Sequence, residues 1–436
     1  MTLRLDIGEQ GFDAAFAAFL AARRGDAADV AADVAAILSG VNDNGDAALA
    51  DYTRRFDGFE LTAETLRVMA EELEAATVSC EMETLEALSL AASRITDFHC
   101  RQLPKDLDYE DKEGIRLGGS WRPIPAVGIY VPGGTAAYPS SVLMNAIPAK
   151  VAGVPRLVMA VPAPGGEIDP LVLAAARMSG IEEIYRIGGA QAIGALAYGT
   201  ETIVGVDKIV GPGNAYVAEA KRQVFGIVGI DMIAGPSEIL VVSDGASKPA
   251  WVAADLLSQC EHDTAAQAIL ITDDRDFAGA VEKAVEDILR NLPRGEIARR
   301  SWRDNGCVIT VETLDDALAL IDMIAPEHLE LALDGDAADA LAEKVGNAGA
   351  VFLGRFAPEA LGDYVAGPNH VLPTARSARF SSGLGVLDFM KRTSLIGCDG
   401  DGLAAVGPAA VALAKAEGLD AHALSLELRL KERGGK

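Results

Sequence analysis

With 436 residues the chain exceeds what one hydrophobic core organises, so two or three globular units are expected. Half of the residues are apolar, 5% are aromatic and 45 are glycine, which excludes a disordered chain and suits α/β units with close backbone approaches. The formal charge of −26 would repel phosphate backbones, which excludes a nucleic-acid grip and leaves small molecules and further copies of the chain as partners.

The run Met1-Thr-Leu-Arg-Leu-Asp6 reaches an acidic residue at once and lacks the apolar core of a secretory leader. The cysteines, Cys80, Cys100, Cys260, Cys307 and Cys398, show no CxxC spacing, which argues against a disulfide framework and a Cys-rich structural zinc site. A cytoplasmic setting with reduced thiols is expected. Residues 11–101 carry apolar residues at helical spacing, as in Phe12, Phe16, Phe19 and Leu20 and in Leu85, Leu88 and Leu90. A charged stretch at 105–113 then marks a boundary. The longest uncharged run, residues 123–149, is broken by five prolines and cannot be a spanning helix, so no membrane partner is expected.

From Trp121 to Val242, β-rich runs alternate with Ala-rich helical stretches: Val127-Gly-Ile-Tyr-Val131, Arg156-Leu-Val-Met-Ala-Val161, Glu183-Ile-Tyr-Arg-Ile187, Lys208-Ile-Val210 and Glu238-Ile-Leu-Val-Val242. Such alternation predicts parallel βαβ units. It recurs after Lys248, with a helix ending near Cys260 and strands at Gln267-Ala-Ile-Leu-Ile-Thr272 and Gly349-Ala-Val-Phe-Leu353. Residues 401–436 read as Ala- and Leu-rich helices without a strand partner, suited to lie over another surface or subunit.

Gly211-Pro-Gly-Asn-Ala-Tyr-Val217 joins a strand-like run to a helix-like one, where backbone N–H groups meet anions; a plain tight turn is the alternative. Gly133-Gly134 and Gly188-Gly189-Ala190-Gln191 give further turns at strand ends, where open α/β sheets bind ligands. Gln259 and His262, three apart, would share a helix face as a chelating pair requires, or His262 simply ends a helix. Glu327-His328 follows Pro326, a residue suited to the first helical turn; the pair could share acid–base work or mark a solvated helix start. Asp363 lies in a Gly-rich turn, as a hard ligand or a turn cap. His422, five residues after Glu417, could equally belong to a surface helix. His99 reads as structural and Cys260 as a small core residue.

Taken together, Val127-Gly-Ile-Tyr-Val-Pro-Gly-Gly134, Ile187-Gly-Gly-Ala-Gln-Ala192, Gly211-Pro-Gly-Asn-Ala215, Ile230-Asp-Met-Ile-Ala-Gly-Pro-Ser-Glu238, Gln259-Cys-Glu-His262, Pro326-Glu-His328, Gly362-Asp-Tyr-Val-Ala-Gly-Pro-Asn-His370 and Glu417-Gly-Leu-Asp-Ala-His422 resemble the histidinol dehydrogenase family. The resemblance implies an α/β fold of two incomplete Rossmann-like parallel-sheet domains, with an N-terminal helical region and a helical C-terminal tail. The implied partition is a 1–25 arm, a 26–122 helical region packing with 239–375 as the substrate and metal domain, an NAD-binding domain at 123–238, and a dimerisation tail at 376–436. It further implies zinc on Gln259, His262, Asp363 and His422, and NAD on Tyr130, Gln191 and Asn214. L-histidinol would meet Ser237, Gln259, His262, His328, Asp363, Glu417 and His422. Glu327 and His328 would be the catalytic pair in a two-step oxidation, within a homodimer whose tail reaches the partner's site. Two features depart from the family pattern: Cys260 stands where Ala is usual, and the run 423–429 differs from the expected Asn- and Arg-containing one.

Rival readings are a paralogue oxidising another primary alcohol such as a sulfonated diol, a cysteine-thioester aldehyde oxidation needing Cys260, and a non-catalytic nucleotide-binding scaffold. The YxxxK spacing of short-chain dehydrogenases is absent.

Overall fold

The computed structural model describes residues 2–22, 30–133 and 138–433; Gly134 and the junction expected at 25/26 lie outside them. Two parallel sheets flanked by helices form the body, with helices at both ends of the chain. One sheet has five strands in the order Glu183–Arg186, Arg156–Val161, Ala126–Tyr130, Lys208–Val210, Gly229–Ile230. Val127, Ile129, Val158 and Met159 are fully buried, as strands covered by helices on both faces require. The chain enters at Ala126–Tyr130, works outward, and returns on the other side at Lys208–Val210. That switch point sets the segment after Tyr130 beside the Gly211 loop at the C-terminal edge.

The second sheet has six parallel strands, Leu3–Asp6, Cys307–Thr310, Gln267–Thr272, Glu238–Ser243, His328–Ala332 and Ala350–Leu353. Its switch point lies between Glu238–Ser243 and His328–Ala332, with Arg355 at the C-terminal ends of those strands. The Arg355 guanidinium bonds both oxygens of Asp244 at 2.8 Å and reaches the Ala332 carbonyl at 3.0 Å and Asp334 at 3.0 Å. Ser237, Glu238, Glu327 and His328 sit at the opposite, N-terminal edge.

Several expectations are corrected. His328 opens a strand and not a helix: Ala325, at φ 46°, ends the helix Ala317–Ile324, and His-Leu-Glu-Leu-Ala then alternates with period two between parallel neighbours. Within the expected N-terminal arm, Leu3–Asp6 is an edge strand of the six-stranded sheet, where Leu5, Phe12, Phe16 and Leu20 join the core. The N-terminal helices cover mainly the five-stranded sheet, and they also touch 239–375, where Arg94 donates to the Val365 and Ala366 carbonyls. The helix Ala31–Asp57 packs on Gly189–Tyr198 and Ala215–Val224, Ala70–Ser79 on Pro170–Met178, and Met82–Cys100 on Pro139–Val151. Their apolar faces, with Leu38, Val41, Leu49 and Ile95, meet Ile193, Leu196, Val217 and Leu143 there. The tail is not purely helical, since Met390–Cys398 pairs antiparallel with Ile115–Pro123 from Met390↔Pro123 to Cys398↔Ile115, with Leu107–Glu110 on the far side. Helices Gly400–Ala416 and Asp420–Arg433 pack on each other and leave Leu413, Leu419, Leu424 and Leu428 exposed, as Leu395 and Ile396 of the antiparallel strand also are. Among the described residues no helix is long and apolar enough to cross a membrane.

Candidate active site

Glu238, the first residue of a central strand, organises the expected catalytic pair through its own backbone. Its N–H donates to Glu327 Oε2 at 2.9 Å, and its carbonyl accepts from His328 Nδ1 at 2.9 Å. A carbonyl can only accept, so Nδ1 carries the proton and Nε2 is the basic nitrogen of the neutral ring. Glu327 and His328 are both buried. Burial, helped by the neighbouring Glu238 charge, raises the Glu327 carboxyl well above its ordinary range. Burial lowers the His328 pKa.

His328 Nε2 points to the short helix Glu359–Tyr364, which follows Pro358 and sets Glu359 and Asp363 one turn apart on one face. Thus Asp363 lies on a helical turn and not in the Gly-rich turn that follows it. His328 Nε2, a Glu359 oxygen and an Asp363 oxygen all lie within 4.8 Å of one another. Burial raises Asp363 well above its ordinary value, and the charge and hydrogen bond of Glu359 add to this. Ser258 donates to Glu359 Oε2 at 2.8 Å, and the Glu359 N–H reaches Glu330 Oε2 at 3.4 Å. Glu330 in turn shares a hydrogen bond with Asp255, burial pushing the two carboxyls up to about 9 and about 6. His370 Nδ1 donates to the Asp363 carbonyl at 3.0 Å, and burial lowers that imidazole to about 4.

Gln259 is buried near the end of the helix Pro249–Cys260, and His262 lies in the turn beyond it, its N–H on the Gln259 carbonyl at 3.1 Å. The turn is fastened by Arg294, whose Nε donates to the Glu261 carbonyl at 2.9 Å. Ser237 Oγ is 3.4 Å from His262 Nδ1. The His262 ring keeps solvent access, yet the protein packed around it lowers its pKa. One chain therefore gathers Ser237, His262, Glu327, His328 and Asp363. It does not gather Glu417 or His422, which are exposed on the tail with no bond to that set.

The cluster fits a divalent cation. Its donors are imidazole nitrogens and carboxylate oxygens without thiolate, a set suited to a borderline ion such as zinc. Glu359 Oε1 is buried beside Asp363 with no hydrogen-bond partner, so a cation on Asp363 would satisfy it, while His328 Nε2, equally without a partner, stays open to a proton. Glu359 escaped the sequence reading; a Pro followed by carboxylates four residues apart, Glu359 and Asp363, was the available signal. Cys260, by contrast, is buried with its thiol pushed up to about 11 by desolvation. Replacing Cys260 with Ala is expected to leave turnover nearly unchanged, and a collapse in a steady-state assay would reinstate a thiol nucleophile.

The residues expected at a nucleotide lie at the C-terminal edge of the five-stranded sheet. Tyr130 is buried and its hydroxyl accepts from the Gly189 N–H at 3.1 Å; burial pushes the phenol up to about 12. Gln191 is buried in the first turn of the helix Gly189–Tyr198. Asn214 caps the helix Ala215–Val224, its oxygen accepting from the N–H groups of Tyr216 at 3.1 Å and Val217 at 3.2 Å, which leaves its amide nitrogen for a ligand. The two edges meet where Ser141, in the first turn of the helix Pro139–Val151, lies 3.4 Å from His370 Nε2.

The sequence profile of the family described as histidinol dehydrogenase matches residues 20–430. A histidinol dehydrogenase of Rhodospirillum rubrum is 63% identical over 431 residues, covering 99% of each chain. One from Rhizobium meliloti is 62% identical over 430 residues, again covering 99% of each. The crystal structure of histidinol dehydrogenase from Elizabethkingia anophelis superposes with a TM-score of 0.93 at 37% identity, covering 100% of this chain and 99% of that one.

Proposed function

The chain belongs to the histidinol dehydrogenase family, and we propose that it oxidises L-histidinol through L-histidinal to L-histidine in two NAD-linked steps at one zinc site. The observation that carries this reading is the pairing of Glu327 and His328 on the two backbone groups of Glu238, with His328 Nε2 turned toward Glu359 and Asp363. His328 takes the substrate hydroxyl proton at Nε2 as the carbinol carbon loses hydride. Glu327 beside it draws a proton from water adding to the aldehyde, and its raised pKa brings a carboxylate closer to proton exchange near neutrality.

Gln259, His262 and Asp363 would hold the zinc, with the partner subunit's His422 as the fourth ligand. Bound there, zinc would supply a redox-silent charge that anchors the substrate's imidazole and amine. NAD, bound across Tyr130, Gln191 and Asn214, would supply the hydride acceptor. Ser237 and the partner subunit's Glu417 complete the substrate contacts, and the enzyme works as a cytoplasmic homodimer. Exposed Leu413, Leu419, Leu424 and Leu428 on the tail support the dimer, because a lone chain gains nothing from such a surface.

The test is NADH formation with L-histidinol. Two NADH per substrate are expected, lost on chelation and recovered with zinc; one would end the two-step reading, and none would move the substrate to another alcohol. A second expectation follows from the shared site. Mixing inactive His262→Asn and His422→Asn chains, unfolding and refolding them together, should restore about a quarter of wild-type activity, because half the dimers carry one intact site of two. No recovery would place His422 in its own chain's site.

A further inference from the structure

Lys221 is among the largest fully buried side chains of the described residues, on the helix that Asn214 caps, and its charge is met by Asp231 just after Gly229–Ile230. The two side chains form an ion pair, each 1% exposed. Beyond each other, they bond to the same residue. Lys221 Nζ donates to the Gly211 carbonyl at 2.9 Å, and Asp231 Oδ2 accepts from the Gly211 N–H at 2.8 Å. Gly211 opens the 211–214 loop at φ 110°, a conformation L side chains rarely adopt, and a Cβ there would lie 2.1 Å from the Tyr130 carbonyl.

A buried ion pair is weak as a stabilising device, since apolar side chains of similar volume often serve as well. The use of these charges therefore lies in what they grip. We propose that Lys221 and Asp231 are positioning residues that clamp Gly211 by both backbone groups and so set the 211–214 loop, with Asn214, in the shape that receives the nucleotide. Fixed from below, the loop packs against the Tyr130 carbonyl, while the Tyr130 hydroxyl holds Gly189; the three loops of the sheet edge are thereby joined through one tyrosine. The proposal rests on the reading of this edge as the NAD site. It predicts that loosening the clamp weakens NAD selectively, leaving histidinol and metal binding at the other sheet untouched.

The test removes both charges together, so that neither is left buried alone. In Lys221→Met/Asp231→Leu the Gly211 N–H loses its acceptor; in Lys221→Met/Asp231→Asn the amide oxygen retains it. The Leu double variant is expected to raise KM for NAD about tenfold or more, the amide double variant by less than about threefold, as one backbone hydrogen bond would dictate. KM for histidinol, kcat at saturating NAD and zinc content should stay at wild-type values in both. Equal KM rises in the two variants, or a parallel loss for histidinol, would mean that the pair acts only as filling. If the Leu variant fails to fold, the amide variant decides alone, because it has already lost the Lys221 bond to the Gly211 carbonyl: a rise of about two- to threefold in KM for NAD with KM for histidinol unchanged supports the clamp, and no rise, or an equal rise for histidinol, refutes it. Wild-type protein that shows no saturation with NAD would overturn the cofactor reading, and the proposal with it, before any variant is made.

Discussion

His328→Asn is expected to lower kcat by roughly a hundredfold to ten-thousandfold, with zinc content and thermal midpoint close to wild type. Asn can still donate an amide hydrogen toward the Glu238 carbonyl that His328 Nδ1 now bonds at 2.9 Å, so the strand end need not move. What disappears is a basic atom at the Nε2 position, beside Glu359 and Asp363. Burial is the largest influence on this imidazole and lowers its pKa below 6.5, outweighing the Glu359 charge and the Glu238 carbonyl, which act the other way. The ring is therefore neutral at pH 7 and ready to accept a proton. Activity should rise with pH through a value below that of free imidazole and then hold level, and this acid limb should be missing from the residual activity of the Asn variant. A variant that retains the wild-type rate, or keeps the same acid limb, would assign the base elsewhere.

The sequence made the strands with continuous apolar runs legible, because a strand buried on both faces leaves few alternatives; Val127–Val131 and Gln267–Thr272 are such cases. It hid the strand that matters most. His328–Ala332 alternates His and Glu with Leu, so two of its five positions are polar although all five are buried, and both polar residues face the candidate carboxylate cluster. Pro326 then suggested a helix start. The antiparallel pairing of Met390–Cys398 with Ile115–Pro123 joins segments more than 260 positions apart, and no local period reports it. The place of the candidate site was obscured for a different reason: open α/β sheets usually bind at C-terminal strand ends, whereas the cluster around Glu238 and His328 stands at the N-terminal edge of its sheet. For Asp363 the residues alone left a ligand and a turn cap open, and family resemblance chose the ligand. Its partner Glu359 needed the folded helix, which brings the two carboxyls into hydrogen-bond contact.

Asp363→Asn should abolish turnover and zinc binding, yet raise the thermal stability of metal-free protein at pH 8. In the folded chain Asp363 is raised well above its ordinary value of 3.8, first by burial and then by the charge and hydrogen bond of Glu359. A carboxyl raised on folding binds its proton more tightly in the folded state. Its stabilising contribution is complete below the unfolded value and is lost as pH climbs through the folded one. Metal-free wild type should therefore weaken as pH climbs from the ordinary carboxyl range toward the raised folded-state value. A divalent cation replaces the proton as the positive partner of the same oxygens, so zinc should stabilise more at pH 8 than at pH 5. At a free concentration a hundred times Kd, that increment is about 2.7 kcal/mol, enough to move the midpoint by several degrees. Asn keeps the shape and a hydrogen bond to Glu359 without the second charge, which removes both the pH-dependent loss and the zinc increment. Thermal melts with chelator and with zinc at the two pH values separate the outcomes. If the Asn variant still gains several degrees from zinc, or its chelated form melts below chelated wild type at pH 8, Asp363 is not the ligand around which this cluster is built.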